Sequence, residues 1–255
     1  GPLVYLSLGN RGSYTSPLSL VALAAGLLAA IGFVGHERRL DAPLFDLSIL
    51  RRPALSIGLS SGLVSYLVLF GALFVVPYYL SAKHAGAALV GLQLSVLPVA
   101  IGIAVLLAGR LLNRVGERPL TSGGLILAAA GLLEIALWHG TTGLLVGLAL
   151  TGLGLGAFTP ANNATIMSAA PHGHAGVVSG ALNMTRGIGT ALGVALAGAL
   201  YTAGAGLSSA NADNAGAAHG LTVTVAVFGF LALAVGIALL LTSQESPPRP
   251  QGGCS

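Results

Sequence analysis

The chain has 255 residues, of which 55% are hydrophobic and only 7% are charged, and its mean hydropathy is +0.88. A soluble domain of this size could carry such a composition only by burying several helices on all sides, so the values indicate a membrane protein. Eleven basic and seven acidic residues give a net charge of +4, but no basic stripe with interleaved aromatic residues is present, which argues against nucleic-acid binding. The single cysteine, Cys254, excludes internal disulfides and cysteine metal sites, so we expect neither a metal nor a cofactor.

Long apolar runs account for most of the chain, and each has the roughly 20 residues needed to cross a hydrocarbon core about 30 Å thick. In lipid, such runs satisfy their backbone hydrogen bonds only as helices, so the sequence predicts an all-α transmembrane fold. Glu134 and Arg186 are the only charged residues inside these runs. The predicted spans are residues 17–35, 53–82, 85–109, 120–138, 140–160, 175–204 and 220–243.

The order of these runs predicts four regions. Residues 1–35 are expected to hold the end of a preceding span and one accessory transmembrane span, because no basic segment of a signal peptide leads them. Residues 36–52 mix both charge signs with an apolar stripe, which fits either an amphipathic helix on the inner membrane surface or a solvated cytoplasmic linker. Residues 53–243 form a six-span block, and the proline-rich tail 244–255 is expected to be disordered. The odd number of spans predicts that earlier spans are missing.

Basic residues in the loops predict the orientation. The loop 36–52 carries four arginines and the loop 110–119 carries three, so the positive-inside rule places both in the cytoplasm. The loop 205–219 has no lysine or arginine, as a translocated loop should. We therefore expect a multi-pass protein of the plasma (inner) membrane with a cytoplasmic C-terminus.

The loop after the second span of the block reads Gly109-Arg-Leu-Leu-Asn-Arg-Val-Gly-Glu-Arg-Pro119. Its first glycine is expected to end one helix, its first two arginines to bracket a turn, and its last glycine to permit a tight reversal. The loop resembles the G-x-L-x-D-R-x-G-R-[RK] cytoplasmic loop of the major facilitator superfamily. An asparagine replaces the usual aspartate, which keeps the acceptor and removes the charge. The matching residues are Gly109, Arg110, Asn113, Arg114 and Gly116.

Residues 152–171 and 176–193 and the link 37–52 are similar to segments of the fourteen-span drug/proton antiporter branch of that superfamily. The resemblance implies a major-facilitator-type C-terminal domain of six spans, preceded by one accessory span, whose missing partner is an N-terminal six-span domain. It implies a proton-coupled secondary transporter, not an enzyme, that exports hydrophobic or cationic small molecules (drugs) across the lipid bilayer by alternating access. The alternative is a non-transporting or truncated membrane subunit that acts as a scaffold for a partner.

Arg186 is the principal candidate site residue. A guanidinium near the bilayer centre costs roughly 2.5–3.5 kcal/mol on insertion scales, so it normally faces a cavity or a partner. Helical spacing places Asn183 and Thr190 on the same face, and the resemblance puts this span near the central cavity. We predict a substrate, cavity or gating role for these residues and for Asn162 and Asn163. The alternative is a structural arginine that binds neighbouring carbonyls and one of these two asparagines.

Other candidates lie on the remaining spans. Tyr66 and Phe70 stand near the middle of theirs and are cavity candidates. Glu134 is a candidate proton site because a buried carboxyl can load and release protons, although its place near the end of a span also fits an outer-edge hydrogen bond. Pro160 predicts a kink in an otherwise helical run. No nucleotide loop or catalytic triad is found in the sequence.

Overall fold

The computed structural model describes residues 52–83, 86–138, 140–171, 173–207 and 213–244. The predicted accessory span 17–35, the linker up to residue 51 and the tail from residue 245 lie outside the described residues.

Six helices occupy the described part of the chain, and each is long and apolar enough to cross a membrane. This confirms the all-α, six-span prediction for the block that follows the linker. The helices are α1 Pro53–Ala82, α2 Ala87–Val115, α3 Glu117–Leu137, α4 Thr141–Ser168, α5 Ala175–Leu207 and α6 Asp213–Gln244.

Three of these helices extend by six or more residues beyond one end of the predicted apolar runs. α2 continues past Gly109 to Val115, α4 continues through Pro160 to Ser168, and α6 begins at Asp213 rather than at residue 220. The predicted helix end at Gly109 and the predicted loop over 213–219 are therefore wrong. A helix can extend beyond the hydrocarbon core into the polar headgroup layer, so hydropathy marks only its apolar part.

The helices form two interlocked groups of three, α1 to α3 and α4 to α6. α1 packs along α5 and α2 packs along α4, each pair running in the same direction, while α3 packs against α4 and α6 in the opposite direction. If α1 takes the place of α4 and α2 takes the place of α5, the α1–α5 pair becomes the α4–α2 pair. The exchanged helices α1 and α4 run in opposite directions. This is the arrangement of an inverted repeat.

The two ends of the bundle are called the Arg118 end and the Trp138 end, after residues at the two ends of α3. At the Arg118 end, α1, α3 and α5 begin and α2, α4 and α6 end. At the Trp138 end, the helix directions are reversed. Charged or polar residues close both ends, and the apolar core lies between them.

Glycines permit the closest helix contacts, as expected in membranes. At the α3–α4 crossing, a Cβ added to Gly124 would lie 2.8 Å from the carbonyl oxygen of Gly154 and 2.9 Å from the amide nitrogen of Phe158. Gly152 and Gly156 pack in the same way against α2, and Gly189 and Gly193 pack against α1. Gly176 is different, because nothing lies within 4 Å of its added Cβ.

α2 and α5 are the least buried helices. Only 17% of the most apolar window of α2 is buried, against 61% for α3. A surface this apolar is stable only against lipid or against another membrane-embedded body. We call the exposed sides of these two helices the α2/α5 face. Their large exposed side chains include Leu92, Val99, Ile103 and Leu106 on α2 and Met184, Ile188, Leu192 and Leu196 on α5.

Candidate functional site

Arg186 lies on α5 beside Tyr66 of α1. The guanidinium carbon is 5.1 Å from the centroid of the Tyr66 ring, which is the geometry of a cation–π contact. Close packing of Gly189 and Gly193 on the backbone of Leu63 and Leu67 holds the two helices together there. Arg186 is exposed and Tyr66 is half-buried, so the pair faces out of the bundle.

The guanidinium has no hydrogen bond or ion pair with any residue that the structure describes. The alternative of a structural arginine bound to Asn162 or Asn163 is therefore not supported. Asn162 uses its side chain elsewhere, and Asn163 is half-buried on the same helix. Five N–H donors at this depth require acceptors, and these have to come from outside the described residues.

The polar face predicted around Arg186 divides in two. Asn183 is exposed beside the arginine, and Thr190 is half-buried one turn further along α5. Gly189 and Gly193, further along α5, pack against α1 instead. The exposed polar surface of α5 here therefore centres on Arg186 and Asn183.

Aromatic side chains continue this surface along α1 towards the Trp138 end. Tyr66, Phe70, Phe74 and Tyr78 are spaced four residues apart, and none of them is buried. The rings of Phe74 and Tyr78 stack with centroids 5.2 Å apart, and Tyr201 of α5 meets Tyr78 edge-on at 5.7 Å. We call the four α1 residues the aromatic column. The sequence analysis selected only its first two members, although the spacing of four residues is visible in the sequence.

Asn162 joins α4 to α1. Its amide nitrogen donates to the carbonyl oxygen of Gly58 at 3.0 Å, and its amide oxygen accepts from the Ser61 hydroxyl at 3.3 Å. The side chain is only 5% exposed. A buried amide satisfied by two partners on a neighbouring helix fixes that helix in place, so Asn162 has a structural use in this arrangement.

A cavity of about 420 Å³ opens at the Arg118 end between α1, α3, α4 and α6. Beside it, the hydroxyl of Thr165 on α4 donates to a carboxylate oxygen of Glu117 on α3 at 3.0 Å. The sequence does not predict this cavity, because its polar residues come from three separate helices. It is lined by Pro53, Ala54, Ile57, Gly58, Arg118, Thr121, Asn162, Thr165, Leu239 and Thr242.

The loop motif takes a shape other than the predicted turn. Arg110, Asn113 and Arg114 are exposed residues of the last turns of α2, so they bracket no turn. The reversal is made by Gly116 alone, at φ 84°, where only glycine is unstrained. α3 begins at the next residue. The predicted role of Gly116 is confirmed.

Glu134 lies between α3 and α4 near the Trp138 end. One of its carboxylate oxygens is buried with no hydrogen-bond partner among the described residues, and a Cβ added to Gly147 would lie 2.8 Å from it. α3 packs against α4 and α6, whereas Arg186 lies on α5. The two charged residues of the predicted spans are thus not brought together.

No group of three or more His, Cys, Asp or Glu side chains that could hold a metal ion occurs in the part of the chain that the structure describes.

Comparison with known proteins decides the family. The sequence model of the protein family described as Major Facilitator Superfamily matches residues 58–253 of this chain. The match includes all of the described helices from the second turn of α1 onwards. The chain belongs to the Major Facilitator Superfamily. It is therefore a multi-pass membrane protein of a transporter family, in agreement with the resemblance found in the loop after α2.

Several relatives are named for drug resistance or efflux. Puromycin resistance protein pur8 of Streptomyces alboniger is 32% identical over 93% of this chain and 49% of its own length. Drug efflux pump JefA of Mycobacterium tuberculosis is 33% identical over 77% of this chain and 39% of its own length. Multidrug resistance protein Stp of the same organism is 28% identical, with coverages of 80% and 38%. The chain thus spans less than half the length of these relatives.

Proposed function

We propose that this chain forms the C-terminal six-helix half of a secondary active transporter of the fourteen-span drug/proton antiporter branch, which exports small molecules in exchange for protons. The observation that carries the proposal is the α2/α5 face with Arg186 on it. A membrane-buried guanidinium without an acceptor of its own fits a half-cavity that a second half completes.

The relatives support both parts of the proposal. Their printed names describe resistance to puromycin, drug efflux and multidrug resistance. Each of them is more than twice as long as the segment matched here, which leaves room for a second six-helix domain. The described helices themselves make one such domain.

Alternating access follows from the packing. The tight glycine crossings between α3 and α4, and between α5 and α1, make the six helices move as one body. The α2/α5 face is the surface on which this body would rock against its partner, so that the site around Arg186 opens to each side of the membrane in turn. The orientation that we propose places the Arg118 end in the cytoplasm.

Glu134 is the one carboxylate inside the predicted apolar runs, which makes it the candidate for proton coupling. It is half-buried at the α3–α4 contact, with one carboxylate oxygen covered, away from the α2/α5 face. A proton-binding carboxylate has to communicate with the substrate site, and this position does not adjoin it. We therefore place the coupling group on the partner half and give Glu134 a structural role.

The proposal is tested by proton-driven dye efflux from liposomes. The chain alone should move no dye, whereas the chain joined to the reading frame encoded directly upstream should move dye when a pH gradient is applied. A scaffold subunit would give no flux in either form. Robust pH-driven flux from the chain alone would contradict the half-transporter proposal and would make Glu134 the coupling site.

A variant locates the function on the α2/α5 face. In the joined transporter, Arg186→Met should insert as well as the wild type, because methionine costs less in lipid, while efflux per inserted molecule falls about tenfold or more. Phe230→Leu is the control, since Phe230 is an exposed apolar residue of α6 outside this face. Wild-type efflux in Arg186→Met would show that the arginine is dispensable.

A further inference from the structure

The guanidinium of Arg186 makes a cation–π contact but no hydrogen bond with the described residues. The guanidinium carbon lies over the Tyr66 ring, 5.1 Å from its centroid, and no acceptor within the described residues binds its N–H groups. Because the side chain is exposed, its five donors are available to a ligand in front of the α2/α5 face. The cation–π contact with Tyr66 restrains the position of the guanidinium.

The chemistry of the guanidinium selects a ligand. Planar N–H pairs bind a carboxylate through two parallel hydrogen bonds, which a neutral or cationic group cannot accept in the same way. Glu134, the other charged residue within the predicted spans, lies on α3 and does not neutralise it. The described part of the cavity wall is consequently positive, and it would repel an organic cation and attract an organic anion.

The aromatic column supplies the second recognition element. It begins at Tyr66, beside the arginine, and continues through Phe70 and Phe74 to Tyr78 with exposed or half-buried rings. Flat apolar molecules bind such rings by offset stacking and by removing apolar surface from water. A ligand with its carboxylate on Arg186 would lay an aromatic body against these rings.

We infer that Arg186 and Tyr66, with Phe70 beside them, form a subsite for the carboxylate of an aromatic acid carried by the transported molecule. This inference rests on the proposed function and narrows it: the substrates are aromatic acids or zwitterions, in place of the cations that the branch resemblance implies. The same carboxylate chemistry has a second source, an Asp or Glu of the partner half, and the experiment separates the two.

The test uses two dyes that differ only in the acid group. Rhodamine 110 has a free benzoate, and rhodamine 123 is its methyl ester. Binding of each dye to the 255-residue chain in lipid nanodiscs is followed by fluorescence polarisation, and efflux of each is measured with the joined transporter. The variants are Arg186→Gln, Arg186→Lys and, as a control that removes one positive charge elsewhere, Lys83→Gln.

Arg186→Gln should weaken binding of rhodamine 110 about tenfold, which corresponds to about 1.4 kcal/mol, while rhodamine 123 changes by less than about twofold. Arg186→Lys should restore part of the loss, since an ammonium keeps the charge without the bidentate fork. Lys83→Gln should bind both dyes like the wild type.

Equal loss of both dyes in Arg186→Gln would overturn the inference, because the arginine would then not distinguish the acid from its ester. The acceptor for its N–H groups would instead be a group of the partner half or of this chain. Binding of neither dye to the wild-type chain would overturn it as well. The proposed function is judged separately: efflux of both dyes without discrimination at Arg186 leaves transport intact and removes the subsite. Arg186-dependent binding of rhodamine 110 without efflux in the joined transporter leaves the subsite and removes the transport proposal.

Discussion

The α3–α4 crossing allows a comparison of two adjacent glycines in one helix. Gly124 faces α4, and the three atoms nearest to its added Cβ are all backbone atoms of Gly154 and Phe158, at 2.8 to 3.1 Å. Gly123 is exposed, and nothing lies within 4 Å of its added Cβ. Gly123→Ala and Gly124→Ala therefore have the same composition and nearly the same position, and they differ only in what the methyl group meets.

Backbone atoms cannot turn aside as a flexible side chain can, so the methyl group of Gly124→Ala has to push α4 away. A Cβ added to Gly131, further along α3, would lie 2.6 Å from Thr151, so α4 is also close there, and a shift that relieves one crossing opens contacts at the other. Overpacking of this kind costs about 1–3 kcal/mol. Alanine at the open position gains up to about 1 kcal/mol of helix propensity. Gly124→Ala shares this gain, so the two variants should differ by the overpacking cost alone, about 1–3 kcal/mol in free energy of unfolding.

Thermal unfolding of the 255-residue chain in detergent, followed by circular dichroism, measures this separation. For a chain of this size, the difference corresponds to midpoints about 2–12 °C apart, with Gly124→Ala the lower. The wild type should melt between the two or close to Gly123→Ala. A Gly124→Ala midpoint at or above that of Gly123→Ala would refute the close backbone approach of α3 and α4.

Three other predictions concern separate parts of the structure. Asn162→Ala should lower the free energy of unfolding by about 1–2 kcal/mol, because two partners on α1 lose their hydrogen bonds, and an unchanged denaturation midpoint would contradict this contact. After Cys254 is removed, a cysteine at Lys83 should be labelled from outside intact cells and one at Arg114 should not, and the reverse pattern would invert the topology. Glu134→Gln should keep pH-driven efflux in the joined transporter within about twofold of wild type, since the amide fits the same space. Loss of the pH dependence of efflux would instead make this carboxylate the coupling site.

The number and location of the described helices could be predicted because lipid requires each backbone to be satisfied within its own helix. Hydropathy found all six from apolar composition alone. It failed at the helix ends, as at Val115 and Asp213, because polar residues in the headgroup layer continue a helix without any apolar signal. The turn at Gly116 was predictable because a left-handed backbone conformation has a residue preference of its own.

The candidate site could be predicted only in part. Arg186 is visible in the sequence because a charge in an apolar run is rare, but its contact with Tyr66 joins helices whose residues are far apart in the chain. Asn162 resembled a cavity residue, and its pairing with Gly58 and Ser61 depends on the antiparallel packing of α1 and α4. The cavity near Arg118 combines four helices, so no local pattern predicts it.

The single-residue connection at Gly116 has a practical consequence for imaging the six-helix body. α2 and α3 are joined by one glycine, so a rigid fiducial protein inserted there would have to break the reversal and would disturb both helices. α2 and α3 both pack closely on α4, and this shared packing keeps their mutual orientation fixed. A protein binder raised against the α2–α3 connection would need no insertion. Its position in an image would therefore mark the position of the six-helix body, with an error set only by bending of these two helices.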